Sequence, residues 1–406
     1  MSAITRRGLI GGLAAAPLAR PALIRAQTTS KSIRIGLLSD LNGPFHDAGG
    51  VGSKVAAQLA VEDFGGSVLG RQVEVIQADN QNKPDVASAL ARQWIDEGVD
   101  VLADGAASSC GLAMQEVCYE KKRIFLCTGS ATSDITGKQC SPYGIQFDFD
   151  TYALAHVTGG ALAKAGGDSW YFITADYAFG LALERDATAA VLASGGKVLG
   201  HARSPIGTSD YSSLLLQAQS SGAKVIGVAI AGIDMQNCVK QAHEFGVTRN
   251  GTRIATLLTQ ASDLVGLGQE VCEGLVFSDT FYWDMTDGTR AFSKRWVAKM
   301  GGGIPGIQHA GNYSAAYHWL KAVKAAGTTG ADAVMAEMKQ TPVNDFYNKE
   351  VKVREDGRVL HVNYLWQVKP PSEARYKYDF CKQLAVVQPA DAWRPLSEGG
   401  CSLVKG

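Results

Sequence analysis

Three short stretches of the chain combine residue types suited to holding a small charged molecule. DGAASSCG (104–111) and TGSATSD (128–134) each set glycine, alanine and hydroxyl residues behind an apolar run. Small side chains let a ligand reach the backbone. The hydroxyls of Ser108 and Ser109 stand where a helical pattern begins and can cap it. Open N–H groups at a helix N-terminus also hold a carboxylate. Ser130, Ala131 and Thr132 repeat that chemistry, so the two loops together make a polar nest for one anion. In the third stretch, WYFITADYAFG (170–180), an apolar run passes into a helix through Tyr177 and Phe179. These rings can close over a ligand or pack an interface between lobes, and aromatic side chains do both at once.

The patterns of familiar catalytic centres are absent from the sequence. There is no GxSxG nucleophile elbow and no GxxxxGK[ST] phosphate loop. No GxGxxG follows the first strand, and GLGQEV (266–271) opens like one but ends in Val271. HExxH, EF-hand and CxxC spacings do not occur, and the seven histidines are scattered. His243 falls on an amphipathic helix and reads as a surface or core residue. The expectation is therefore recognition without catalytic residues, cofactor or metal. A Rossmann-like enzyme is the disfavoured alternative, and turnover or a bound nucleotide would reveal it.

The elements that carry these loops alternate regularly. IRIGLLSD (33–40), VEVIQAD (73–79), DVLADG (100–105) and RIFLCTG (123–129) read as strands. Helical stretches near 55–64, 84–98 and 109–120 lie between them. The rhythm restarts with a helix at 151–167 and strands at 169–176, 197–205, 224–230 and 253–258, interleaved with helices at 179–196, 211–222 and 235–246. GLVFSDTFYW (274–283) adds a strand. Helices near 288–300, 310–326 and 331–342 follow, and then a hairpin over 351–368 that turns at Asp356-Gly357. Such alternation predicts an α/β fold with parallel, doubly wound sheets. Ligands of such sheets bind beyond the carboxyl ends of the strands, where all three loops fall. The break near 144–151 has no Pro/Ser/Gly-rich linker, so the two lobes are expected to be closely coupled with a cleft between them.

The 406 residues are too many for one ordinary core. With 39 basic and 39 acidic side chains and no basic stripe, nothing points to nucleic acid. Residues 1–26 read as an export signal: Arg6-Arg7 precedes an apolar run from Gly8 to Ala19, too short to span a membrane. The paired arginines resemble the twin-arginine type, with cleavage after Ala26 and a periplasmic destination. Eight cysteines lie beyond that point. An oxidising compartment allows pairing, and Cys381 with Cys401, in a loop-rich tail, is the expected staple. Cys118, Cys127 and Cys272 read as buried thiols.

The motifs, in order, are GLLSDLNGPFHDAGG, AAQLAVEDFGG, GAASS, GSATSD, TADYAFG and AGNYSAAYHWLKAVKAAG. Together they resemble the periplasmic solute-binding proteins of branched-chain amino acid ABC transporters, the leucine/isoleucine/valine-binding type, over residues 33 to about 370. The resemblance implies a type I periplasmic binding fold, with two Rossmann-like lobes joined by a three-crossing hinge. The lobes are expected at 31–148 plus 279–342 and at 149–278 plus 343–380, with a tail at 381–406. It further implies a carboxylate held on the first lobe by Ser109 and the Ser130–Thr132 nest, with Thr132 giving hydroxyl and N–H. Tyr177 and Phe179 match the aromatic position of the second lobe. Asp234 and Gln260 would meet the other end of the ligand, and Phe281, Tyr282 and Trp283 lie at a crossing, where hinge packing is the favoured reading. Two positions depart from the family: Ala48 stands where an aromatic is frequent, and no Glu occupies the position that pairs with an amino acid's ammonium. The implied function is a monomeric carrier of a small carboxylate-bearing solute, an amino acid or a related organic or aromatic acid, for a membrane ABC permease. A solute sensor for a receptor is the alternative.

Overall fold

The computed structural model describes residues 31–404, so the segment read as an export signal lies outside the described residues. β1 (Ile33–Ser39) is buried along nearly its whole length and lies between two parallel neighbours, which is why it reads as a continuous apolar run. After it come α1 (Gly50–Phe64), the short β2 (Ser67–Val68) and β3 (Arg71–Asp79). Then come α2 (Pro84–Asp96), β4 (Val101–Asp104), α3 (Ser108–Lys121), β5 (Ile124–Cys127) and β6 (Gly144–Gln146). They form a six-stranded sheet in the order β2-β3-β1-β4-β5-β6, parallel except for the β2–β3 hairpin. Stepping outward from β1 in both directions leaves a switch point between β1 and β4, and the loops after those strands open there.

The chain then leaves the first sheet. α4 (Thr151–Leu154) runs through one wider π turn into α5 (Gly160–Lys164). β7 (Ser169–Ala175), α6 (Ala178–Ala193), β8 (Lys197–Ser204), α7 (Ser212–Ser220), β9 (Val225–Ala229), α8 (Gly232–Glu244) and β10 (Arg253–Thr256) build a second parallel sheet, ordered β10-β9-β7-β8. α9 (Ala261–Leu267) and α10 (Gln269–Cys272) follow, and β11 (Val276–Asp279) begins a separate three-stranded sheet. The chain returns to the first sheet with α11 (Asp287–Met300), α12 (Ile307–Ala326) and α13 (Ala331–Gln340). Trp296 Nε1 donates to Gly52 O (3.1 Å) and Asn312 Nδ2 to Ser53 Oγ (3.1 Å), which fastens α11 and α12 to α1. A third passage brings it to β12 (Asn363–Val368) and β13 (Cys381–Val387); β12 pairs antiparallel with β11 on one side and with β13 on the other. α14 (Pro389–Ala392) follows.

The passages lie side by side. Gln146 bridges to Arg358, whose fully buried guanidinium donates to Asp148 O (2.6 Å), Val359 O (3.1 Å) and Phe149 O (3.4 Å). His361 contacts Phe147 O at 2.6 Å. Phe281 packs edge-on against Phe292, Phe346 and Tyr347, the hinge packing expected of it.

Some expectations change. The strand at 274–283 shrinks to Val276–Asp279, because Asp279 turns its carboxylate back to accept from its neighbours Thr280 N and Phe281 N. The hairpin over 351–368 is only a tight turn, bridged between Val353 and Val359. β12 instead pairs with β11 and β13, one on each edge. The tail read as loop-rich contains β13. Cys401 bonds Cys140, not Cys381, which stays a buried thiol because its strand holds it in the three-stranded sheet. Cys118, Cys127 and Cys272 are buried free thiols, as expected. Among the described residues no helix is long and apolar enough to cross a membrane.

Candidate functional site

The loops meet because of close backbone approaches. Gly111, in the first turns of α3, faces the 128–132 loop, and a Cβ there would sit 2.1 Å from Ser130 Oγ. Only glycine lets the two loops touch. Asp104 and Ala106 adopt φ of +77° and +44°, uncommon for residues with a side chain. The Asp104 carboxylate holds that turn by accepting from Ser39 Oγ (2.6 Å) and Ala106 N (3.2 Å), and burial raises its pKa. After β1, Asp40 accepts from Gly43 N (2.6 Å), Phe45 N (2.8 Å) and Asn82 Nδ2 (2.8 Å). That network shapes the 40–49 loop and delivers Phe45 and Ala48 to the same place.

These loops face the second sheet's loops across a cavity of about 20 Å³. One wall is Phe45, Ala48, Ala106, Ser108, Gly129 and Ala131, with Gln308 from α12. The other is Tyr177, Phe179, Ala231, Gly232, Leu258, Gln260 and Asp263. The Tyr177 ring stands 6.4 Å from Phe45 and 5.9 Å from Phe179, forming an aromatic side. Ile233 N donates to Pro44 O (3.0 Å), so the two halves are in direct contact and the cleft is shut. The space suits about one water; a solute needs the halves farther apart.

Sequence reading and structure differ in how the serines act. Ala107, not a serine, is the N-cap of α3, and no side chain caps that helix. Ser108 Oγ instead accepts from Ala131 N and Thr132 N, both at 3.1 Å. Two N–H donors polarise its own O–H, and among the described residues that O–H has no acceptor. The N–H groups of Ser108 and Ser109, in the first turn of α3, likewise have no acceptor among the described residues. Ser109 does not border the cavity with its side chain. Ser130 Oγ donates to Ala106 O (3.2 Å) and Ala107 O (3.1 Å), which makes it a strut between the loops. The Thr132 N–H is engaged by Ser108, and Thr132 Oγ1 accepts from Asp134 N (3.3 Å) as a cap of the next turn. The donors on this wall are therefore the α3 N-terminus and the Ser108 hydroxyl.

The second wall carries two acceptor side chains. Gln260 is buried, and its Oε1 has no hydrogen-bond partner among the described residues. Asp263 lies one helical turn on and was not singled out in the sequence. Its carboxylate accepts from Gln260 N (2.8 Å) and Gln236 Nε2 (3.0 Å), and burial lifts its pKa to about 6. Spacing i, i+3 across a helix start was the available signal. Asp234 lies outside the lining: its Oδ2 accepts from Gly207 N (2.7 Å) and secures the loop behind Tyr177. Burial likewise raises it to about 6. Tyr177 is raised well above the ordinary phenol range, first by burial and then by the Asp234 charge. Helices α3, α6, α8 and α12 all begin at the cavity, so their positive ends converge on it. Among the described residues no His/Cys/Asp/Glu group is placed to hold a metal ion.

The comparisons with known proteins agree with this geometry. A periplasmic binding protein family model matches residues 32–375. A periplasmic binding protein from Burkholderia mallei is 43% identical, with a TM-score of 0.90 over 92% of this chain and 99% of that one. A branched chain amino acid ABC transporter periplasmic ligand-binding protein from Burkholderia xenovorans LB400 is 36% identical, with a TM-score of 0.80 over 92% and 100%. The Leu/Ile/Val-binding protein homolog 6 of Brucella melitensis is 26% identical over 242 residues, 58% of this chain. The match spans about three fifths (61%) of that relative's length.

Proposed function

The chain belongs to the periplasmic binding protein family, a type I fold of binding proteins and not of enzymes, and from that premise we propose that it carries a small amino acid-like solute for an ABC importer. The observation that supports this reading is the opposite polarity of the two walls. Donors at Ser108 face acceptors at Gln260 and Asp263 across one small cavity. A carboxylate fits the first and an ammonium the second. Phe45, Tyr177, Phe179 and Leu258 surround the remainder with apolar surface, which excludes water from the polar contacts. Asp263 stands in for the Glu whose position the sequence leaves empty.

In the proposed cycle the lobes, 31–148 with 279–342 and 149–278 with 343–380, part about the three passages and admit solute. They close because solute bridges donors on one side to acceptors on the other, so it binds the closed form better than the open one. The closed monomer then meets a membrane permease, which opens it. Export by the amino-terminal segment places this cycle in the periplasm. The test is a thermal-shift screen of amino acids against acids lacking the amino group, such as benzoate. A ligand at a hundred times its dissociation constant adds about 2.7 kcal/mol of stability. We expect amino acids to shift the transition and the amino-free acids to shift it far less. The reverse order removes Asp263 from the site, and no shift with either class rejects the carrier reading.

A further inference from the structure

Beside the cleft lies a larger chamber of about 350 Å³. The same elements wall both spaces, each turning different residues to the two sides. The loop after β1 gives Phe45 and Ala48 to the cleft, and His46, Asp47 and Gly49 to the chamber. The start of α9 gives Gln260 and Asp263 to the cleft, and Ser262 and Val265 to the chamber. The start of α12 gives Gln308 to the cleft and His309 to the chamber.

The partition is thin. It consists of Ala48, Gly49 and the Gln308 side chain, whose Oε1 lies 2.7 Å from where a Gly49 Cβ would be. Gln308 is weakly held, with Nε2 to Gly129 O at 3.5 Å. The chamber is apolar beyond its rim, where Trp296, Met300, Ile304 and Val265 line it. His309 adds no charge: Nδ1 accepts from Gly306 N (3.0 Å), Nε2 lies 3.1 Å from Gly49 O, and burial lowers its pKa to about 4. His46 and Asp47, 3.2 Å apart, stay at the exposed rim. One polar atom inside is unmet, the buried Ser262 Oγ.

We propose that the solute is elongated: its charged head sits in the cleft, and an uncharged apolar side chain passes the Ala48–Gly49–Gln308 partition into the chamber. This rests on the carrier reading above and deepens it. The cleft alone has room for little more than a water, whereas the adjoining chamber has the volume of a ligand pocket. Both sheets' elements form the chamber, so a side chain lying in it adds contacts on closure. Ser262 Oγ can meet one polar atom along that side chain.

The test is calorimetric titration of the full-length mature protein with 2-amino acids of increasing unbranched side chain, from alanine to 2-aminooctanoate. The expected wild-type result is binding about fourfold tighter per added methylene until the chamber fills. Val265→Trp and Met300→Trp, at half-exposed positions on opposite walls, fill the chamber from either side. Each should abolish that gain while leaving alanine affinity within about twofold. An undiminished length dependence in both variants overturns the inference and leaves the carrier reading intact. A wild-type affinity that stops rising beyond 2-aminobutyrate overturns it as well. Failure of every member to bind overturns the carrier reading itself.

Discussion

Ser108 holds the two first-wall loops in register by accepting two backbone N–H groups. Replacing it with alanine strands both donors in a buried place, which costs about 1–3 kcal/mol. Ser108→Ala should therefore lower the urea midpoint, and it should weaken amino acid binding at least tenfold because the polarised hydroxyl is gone. Thr132→Ala loses only a 3.3 Å cap contact. It should leave binding within about threefold, and a larger loss than in Ser108→Ala would return Thr132 to the anion site. Asp263 gives a pH-dependent expectation. Its folded pKa of about 6 exceeds the ordinary 3.8, so between about pH 4 and 6 the folded protein holds a proton that the unfolded chain has released. Stability due to this group is thus highest below about pH 4 and falls as pH rises to about 6, by ~3 kcal/mol in all. Urea melts of Asp263→Asn against wild type should show that difference appearing over this window, while amino acid affinity at pH 7 drops. Equal pH profiles for the two proteins would mean the carboxylate is not buried as described.

At the scale of elements, helix starts and tight loops bring the walls together, and glycines permit it. Gly232 opens α8 at φ +62°, and a Cβ there would lie 2.3 Å from Pro44 O on the opposite wall. Gly232→Ala is expected to cost about 1 kcal/mol of folding stability from the left-handed backbone. The larger effect is on closure, because the Ile233–Pro44 contact can no longer form at 3.0 Å. Solute affinity should fall at least tenfold, and small-angle scattering should show little compaction on adding solute. Full compaction with unchanged affinity would show that the contact is not needed for closure.

At the scale of the whole molecule, the tail adds a covalent tie across the lobes. It leaves the second lobe at β13 and lays Trp393 over the hinge. Trp393 Nε1 donates to His361 O (2.7 Å), and its ring stacks 4.3 Å from the Arg358 guanidinium. Arg394 Nη2 then donates to Ser133 O (2.9 Å), and Cys401 bonds Cys140 beside the first lobe. Joining residues 261 apart removes much unfolded-state entropy. Cys140→Ser is expected to lower stability by about 2–5 kcal/mol and to shift scattering of the solute-free protein toward a wider mean opening. An unchanged melting temperature in the variant and in reduced wild type would show that the tie carries no load.

The sequence by itself determined the alternating elements, the two parallel sheets and the three loops that border the cleft, because period and turn residues are local properties of a chain. It also pointed to the Ser108 loop as a polar wall of the cavity, since hydroxyls at a helix start mark themselves. Tertiary structure alone decided what each hydroxyl does. Ser108 bonds to a loop 23 residues away, and no local pattern encodes which N–H a side chain will meet. It likewise decided that Asp263 and not Asp234 faces the cavity, since both are acids near a helix start and only the direction of packing separates them. The Cys140–Cys401 bond belongs to the same class: pairing follows proximity in the folded chain, and the partners lie 261 residues apart in sequence.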